Sequence, residues 1–437
     1  MTGPTVARAL AIAGASLVLL SFPSTAGAHA ALDTSVPRWR AVLAVAPRSL
    51  RLVYDENVVP RYARVSVIAP GGENLAGRAR VAGSTVVAPL RTGGQGSYTV
   101  RWQMVASDDG HVTEGAFTYG VRAEPLPPVP APGVGVPVAP ELLAWLQFLG
   151  VVLAGGVLTI RALVWAPAAR LLGDAEPRDA RAALWAGVIG AVLALHAAMA
   201  AFLVGAYPIV GGGLGSFADA EIVPIRLGTH LGQAWVVMTF AWLAVLALLV
   251  GAWVAPRRRE ALLASAGLLS LGIGFGLSWA SHPASRGTLA LAADYVHLLA
   301  GALWVGGVVA LVILAAGLRP LSGPARETMI RASVLRFSRL AVPIVVVLAL
   351  AGAYLALRQL PAPSALFASA YGATVVAKTI VFIAAASLGG YHRISVVPRL
   401  AAGAAVGSMR RTLALELSLL LVALALAAIL SQTAPPR

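Results

Sequence analysis

From about residue 142 onward the chain is an alternation of long apolar runs and short polar loops. Eight runs stand out, at about 142–165, 183–206, 231–254, 261–281, 291–317, 340–358, 372–391 and 412–431. A helix crosses the hydrocarbon core with roughly 20 apolar residues, so the pattern predicts eight membrane spans. Residues 29–123 read differently. "LRLVYDENV", "ARVSVIAP", "STVVAPL", "GSYTVRWQMVAS" and "GAFTYGVRAE" are short, often alternating and rich in β-branched and aromatic residues. Gly, Pro and Asn clusters separate them, which predicts a small all-β, Ig-like sandwich or Greek-key barrel. Between the two regions, 124–140 ("EPLPPVPAPGVGVPVAP") is a Pro-rich, semi-rigid spacer. The fold class is therefore multidomain: a β-sandwich at 29–123, a linker at 124–140 and a polytopic α-helical membrane domain at 141–437.

Residues 1–28 have the layout of a secretory signal peptide. Arg8 precedes an apolar run from Ala9 to Phe22, and the small-residue stretch Ala26-Gly27-Ala28 follows. Cleavage after Ala28 makes His29 the first residue of the mature protein. Ala28-His29-Ala30 also fits the small-x-small rule, and a cut after Ala30 would discard the histidine.

Composition agrees with membrane spans: the 437 residues are 58% hydrophobic and only 12% charged. The formal charge of +15 would suit nucleic acid, but eighteen of the arginines lie in loops between apolar runs, so no nucleic-acid partner is expected. With the sandwich outside, the inner loops carry fifteen arginines (Arg170, Arg178 and Arg181, Arg257 to Arg259, five between Arg319 and Arg339, four between Arg393 and Arg411). The outer loops carry Arg226, Arg286 and Arg358. This positive-inside bias predicts a multi-pass protein of the bacterial inner membrane with an extracytoplasmic N-terminal domain. Cysteine is absent, so disulfides, zinc fingers and thiol nucleophiles are excluded.

A terminal His29 would offer one metal two nitrogens, its α-amine and its ring Nδ1. "SDDGHVTEGAF" adds Asp109 and His111, two residues apart around a glycine. Three nitrogens and one carboxylate oxygen suit the tetragonal preference of Cu(II). The competing reading makes His111 a turn residue and Asp109 an Asx-turn former.

"HAALDTSVP", "LRLVYDENV" and "GSYTVRWQMVASDDGHVTEGAFTYGV" closely resemble the periplasmic copper-binding CopC domain over essentially all of 29–122. The resemblance implies Cu(II) held by His29, Asp109 and His111, and cleavage after Ala28. Glu56 in "YDENV" matches an acidic position of that family and is expected behind the ligands; a solvated charge at a strand end is the alternative. Some members hold Cu(I) at a second, methionine-rich site, but Met104 is the only methionine in this domain.

Ionisable groups inside a bilayer are costly, about 2.5–3.5 kcal/mol at a helix centre on insertion scales. His230, His282, His297 and His196 all fall in the outer half of the predicted spans, and only His392 is on the inner side. His196 and Met199 share a helical face, an imidazole and a thioether suited to Cu(I). Asp294, three residues before His297, is placed to orient that imidazole. The alternatives are interhelical hydrogen bonds, interfacial anchors and, for Met199, packing. Lys378, the only lysine, is expected to snorkel outward or to pair with a carboxylate such as Asp294. Glu416 is expected to pair with Arg161.

"DYVHLLAGALWVGG", "SAYGATVVAKTIVFIAAASLGGYHRISVVPRL" and "RTLALELSLLLVALALAAIL" resemble the CopD domain, over roughly 140–431. The whole chain is similar to a CopC–CopD fusion, a family associated with moving copper across the inner membrane. The function so implied is Cu(II) capture outside and passage along a membrane path, with Cu(I) in transit, and no enzymatic activity. Expected partners are copper ions, the bilayer, and a periplasmic copper chaperone or reductase. No ATP-binding motif is present, so a gradient or downstream trapping must drive transport. Three alternatives stand: a haem- or copper-linked membrane redox protein with histidines on different spans as ligands, a copper enzyme carrying out oxygen chemistry at the outer site, where Asp109 would occupy a position such chemistry needs open, and a copper sensor or adaptor without transport.

Overall fold

The computed structural model describes residues 32–107, 112–126, 139–171, 180–210, 230–281, 287–317, 324–402, 409–433 and 435. The chain divides into a strand-rich unit and a helical unit. The expected signal peptide, His29, Asp109, His111 and most of the expected linker lie outside the described residues.

Eight strands form two four-stranded sheets. They are β1 (Leu32–Val36), β2 (Val42–Leu43), β3 (Ser49–Tyr54), β4 (Arg64–Ile68), β5 (Arg80–Ala82), β6 (Thr85–Pro89), β7 (Gly96–Val105) and β8 (Val112–Val121). One sheet runs β1-β3-β6-β5, the other β2-β8-β7-β4. Alternation decides which face is buried. In β3, Leu50, Leu52 and Tyr54 point into the core while Ser49 and Arg51 point out. Val67, Val86, Tyr98, Val100, Phe117 and Tyr119 complete that core from both sheets. Tyr98 and Tyr119 stack at 5.2 Å between ring centroids, which fixes the β7–β8 register over ten pairs from Gly96↔Val121 to Val105↔Val112. The five strands expected from sequence are all present. The three additional ones, β1, β2 and β5, sit at sheet edges; β2 and β5 have two and three residues, too few to alternate, and β1 buries only one of its five.

The described residues contain eight helices long and apolar enough to cross a membrane. They are α1 (Pro140–Arg170), α2 (Arg181–Val204), α3 (Gly232–Val254), α4 (Pro256–Trp279), α5 (Thr288–Ile313), α6 (Glu327–Gln359), α7 (Ala370–Leu400) and α8 (Arg411–Ser431). The number matches the hydropathy pattern. α1 packs against α4, α5 and α8; α5 lies along α6, and α7 along α8. Two segments of α1, Val151–Gly156 and Arg161–Trp165, are wound as π-helix, as is His392–Val396 in α7. Such widened turns re-aim side chains and gather at functional positions.

Helices associate in lipid by close packing, so small residues mark the crossings. At the α1–α5 crossing, Gly156 and Gly306 meet backbone to backbone. A Cβ on Gly306 would lie 2.6 Å from the Gly156 main chain, and one on Gly156 would lie 2.0 Å from the Ala302 carbonyl oxygen. Any side chain must push the helices apart. Gly306→Val is expected to cost about 1–3 kcal/mol or more, seen as a lower unfolding temperature of the detergent-solubilised chain. A surface control such as Leu357→Val should leave that temperature within about a degree of wild type, since changes away from packed features are small.

Candidate functional site

At one end of the sandwich three segments converge. β1 begins with Leu32 paired to Tyr54, and the chain then runs through Asp55 and Glu56 to Val58. The Asn57 carbonyl accepts the Ser107 N–H at 2.8 Å, and Val58 bridges Ala106. The closing β7–β8 pair, Val105↔Val112, lies beside them. Leu32 is three residues from His29, and Ser107 and Val112 flank the loop that contains Asp109 and His111. The described flanks of all three expected ligands therefore share one end. Glu56 is half-buried on the segment between them. Tyr54, opposite Leu32, has a buried hydroxyl without a hydrogen-bond partner among the described residues. Burial pushes its phenol well above the usual range, so it stays a neutral donor.

In the helical unit, Asp294 and His297 lie in the first turns of α5. Ser281 donates to Asp294 Oδ2 at 3.2 Å. Among the described residues the expected Asp294–Lys378 ion pair is not formed, nor is the expected orientation of His297 by Asp294. Nδ1 of His297 lies 3.0 Å from the Leu348 carbonyl of α6; a carbonyl only accepts, so Nδ1 carries the proton. In the neutral ring Nε2 then keeps its lone pair, the form that binds metal. Three-residue spacing put the two side chains on one face, but a backbone acceptor on the neighbouring helix took the imidazole. Gly352 makes room for that ring, since a Cβ there would lie 2.9 Å from His297 Cε1.

His196 and Met199 do share a face of α2, and it is an exposed one: Met199 is 42% accessible, and His196 bonds the Val192 carbonyl of its own helix at 2.8 Å. The structure does not gather them with Asp294 and Lys378. The helix containing α3 starts at His230, whose side chain lies outside the described residues, as does His282.

The expected pairing of Glu416 with Arg161 is not made. Arg161, 1% exposed in a π-wound turn of α1, forms two parallel 2.7 Å hydrogen bonds to the Glu260 carboxylate at the start of α4. That fork geometry is the strongest an arginine makes. Glu416 instead meets His392, Nδ1 to Oε2 2.9 Å, and accepts from Trp304 Nε1 at 3.2 Å. Sequence reading passed over His392 because it lies away from the other histidines. The available signal was that two ionisable residues, His392 and Glu416, fall near the same end of adjacent apolar runs.

Removing one partner of a buried pair strands the other charge, at about 3–5 kcal/mol. Glu260→Ala is therefore expected to lower the thermal stability of the solubilised protein sharply. Arg161→Met combined with Glu260→Leu should recover most of the loss, because an apolar pair has no charge to desolvate.

Comparison with known proteins matches two parts of the chain. Residues 32–122 match the family described as the CopC domain, and residues 331–430 that described as Copper resistance protein D. The proteins named YobA of Escherichia coli (strain K12) and of Shigella flexneri are each 33% identical over 126 residues, 28% of this chain and 98% of theirs. The crystal structure of CopC from Methylosinus trichosporium OB3b is similar at 23% identity, covering 23% of this chain and 99% of that one, with a TM-score of 0.21. A strand-rich part of the CopC family and a copper resistance protein D part are thus joined in one polypeptide, and the chain is a CopC–CopD fusion.

Proposed function

We propose that this protein captures Cu(II) outside the cell membrane and passes copper inward through its helical domain. His29, through its amine and imidazole, Asp109 and His111 are the capturing ligands, with Glu56 behind them. The observation that carries the reading is the convergence of the three flanking segments at one end of the sandwich, where Leu32 pairs Tyr54 and Ser107 bonds Asn57. The linker holds the loaded domain near the helices at high effective concentration, so a modest affinity gradient suffices for transfer. His297 is the best-prepared membrane donor, because its Nδ1 proton is fixed on Leu348. Asp294, Lys378, His230 and His282 belong to the same outer region in this reading, and His196 with Met199 forms a further soft pair on α2. Carriage as Cu(I) requires a reductase or a chaperone that delivers the reduced ion.

Mass spectrometry of the mature protein should find His29 at the amino terminus, with one Cu(II) bound per chain. His111→Ala and Asp109→Asn should each weaken Cu(II) by more than about 100-fold. Glu56→Gln should cost about 10-fold, the usual scale for an outer partner. A terminus at Ala31 with unchanged affinity would remove His29 from the ligand set.

In liposomes containing the full chain, His297→Ala should reduce copper accumulation by at least about tenfold, the loss of one ligand's worth of binding. Gly352→Leu should do the same indirectly by displacing the ring. Uptake at the wild-type rate in both variants removes His297 from the path.

A further inference from the structure

The hydrogen bonds around His392 fix how many protons it shares with Glu416. Thr412 Oγ1 donates to the Met409 carbonyl at 3.0 Å, which uses its single hydrogen. Its 2.7 Å contact with His392 Nε2 must therefore have Nε2–H as donor. On the other side of the ring, Nδ1 faces Glu416 Oε2 at 2.9 Å. Two lone pairs cannot face each other at that distance, so a second proton lies on this line. Glu416 Oε1 meanwhile accepts the Trp304 indole N–H, which leaves the carboxylate no need of a proton there. The couple holds one exchangeable proton, and with it its net charge is zero.

Its surroundings are apolar and closed. Glu416 is 3% and His392 9% exposed, in a π-wound turn of α7. Among the described charged groups nearby, Arg393 and Arg399 on α7 and Arg411 on α8 are exposed. α6 presents Arg331 and Arg336, half-buried, and α5 has no charged residue within a turn of Trp304. α1 contributes Glu141, next to Ala144 and Trp145, which pack on Ala425 and Ala428 at the opposite end of α8. No ion pair from these residues to the couple is present among those described, so its charge is balanced only by its own proton.

The couple also shares two helices with the outer polar cluster. α5 carries Asp294, His297 and then Trp304; α7 carries Lys378 and, 14 residues on, His392, about 21 Å along the helix. Between them Trp304 and Phe382 meet edge to face at 5.8 Å, an aromatic barrier bonded through Trp304 to Glu416.

We propose that the Glu416–His392 couple is a proton-binding site that exchanges its proton against copper during passage. Deprotonation leaves a carboxylate and a neutral imidazole, net −1, the charge that one Cu(I) offsets. One proton leaves the Nδ1–Oε2 line for each monovalent cation that passes; no electron moves. Copper exchange rests on the transport reading above; the proton site itself does not.

The test uses the full chain in liposomes enclosing a pH-sensitive dye. Wild-type copper accumulation should be accompanied by a change in lumenal pH. Glu416→Gln, which can still accept from Trp304, should reduce that pH change per copper by at least tenfold while Cu(II) titration of the sandwich is unchanged. A wild-type pH change per copper in Glu416→Gln overturns the proposal. If the wild type accumulates no copper, the transport reading fails by itself. The site is then judged by infrared difference spectra between low and high pH: a carboxylate band and imidazole ring modes that change together, and both vanish in Glu416→Gln, support it. Spectra identical in wild type and Glu416→Gln overturn it. Thr412→Val, which removes the Nε2 acceptor together with the hydroxyl's bond to the Met409 carbonyl, should shift the pH midpoint of those bands, as a purely structural role would not.

Discussion

A charge inside a bundle of apolar helices has no water to fall back on, and this constraint organises the helical half of the molecule. Several of its buried ionisable groups are held by a partner from elsewhere in the packing: Arg161 by Glu260, Asp294 by Ser281, His297 by a backbone carbonyl, His392 by Glu416. The helices cannot slide or rotate without breaking these pairs. Close crossings such as Gly156 on Gly306 bring backbones together at the same register. The interior is mostly apolar, so its few polar contacts are the elements with two arrangements available, proton on or off, ion present or absent.

The strand-rich half works under a different constraint. Its two sheets are held by a continuous apolar core and by the ten-residue β7–β8 pairing with stacked tyrosines. That rigidity is concentrated in the strands and leaves one end to hold chemistry. Three stretches far apart in sequence, at Leu32, Asn57 and Ser107, meet there by backbone hydrogen bonds. Preset convergence of this kind lowers the ordering cost that a ligand bound there would have to offset.

In the function proposed above, the two halves divide the work into a capture step and a passage step. The proposed capture ligands are nitrogen-rich and suit the oxidised ion. The proposed helical donors are an imidazole with its Nε2 lone pair free, a thioether and carboxylates. The covalent linker would replace diffusion between the two steps. The Glu416–His392 couple, beyond the Trp304–Phe382 contact, is the group proposed to surrender a charge when a cation arrives.

The sequence by itself determined the two-part architecture, the eight spans, the five longer strands and the segments rich in metal-binding side chains. Periodicity and run length report burial directly, and burial follows from solvent exclusion whatever the neighbours are. The edge strands β2 and β5 escaped it because two or three residues hold no period, and β1 because its five residues, LDTSV, do not alternate cleanly. Partner choice was decided only by tertiary structure. Helical spacing suggested Asp294 with His297 and depth suggested Glu416 with Arg161, yet the imidazole went to Leu348 and the arginine to Glu260. The reason is physical: spacing along one helix fixes which side chains share a face, whereas the partner across a crossing depends on the rotation and depth of a second helix. Those are set by glycine contacts and π-wound turns spread over the whole bundle, and no local pattern encodes them.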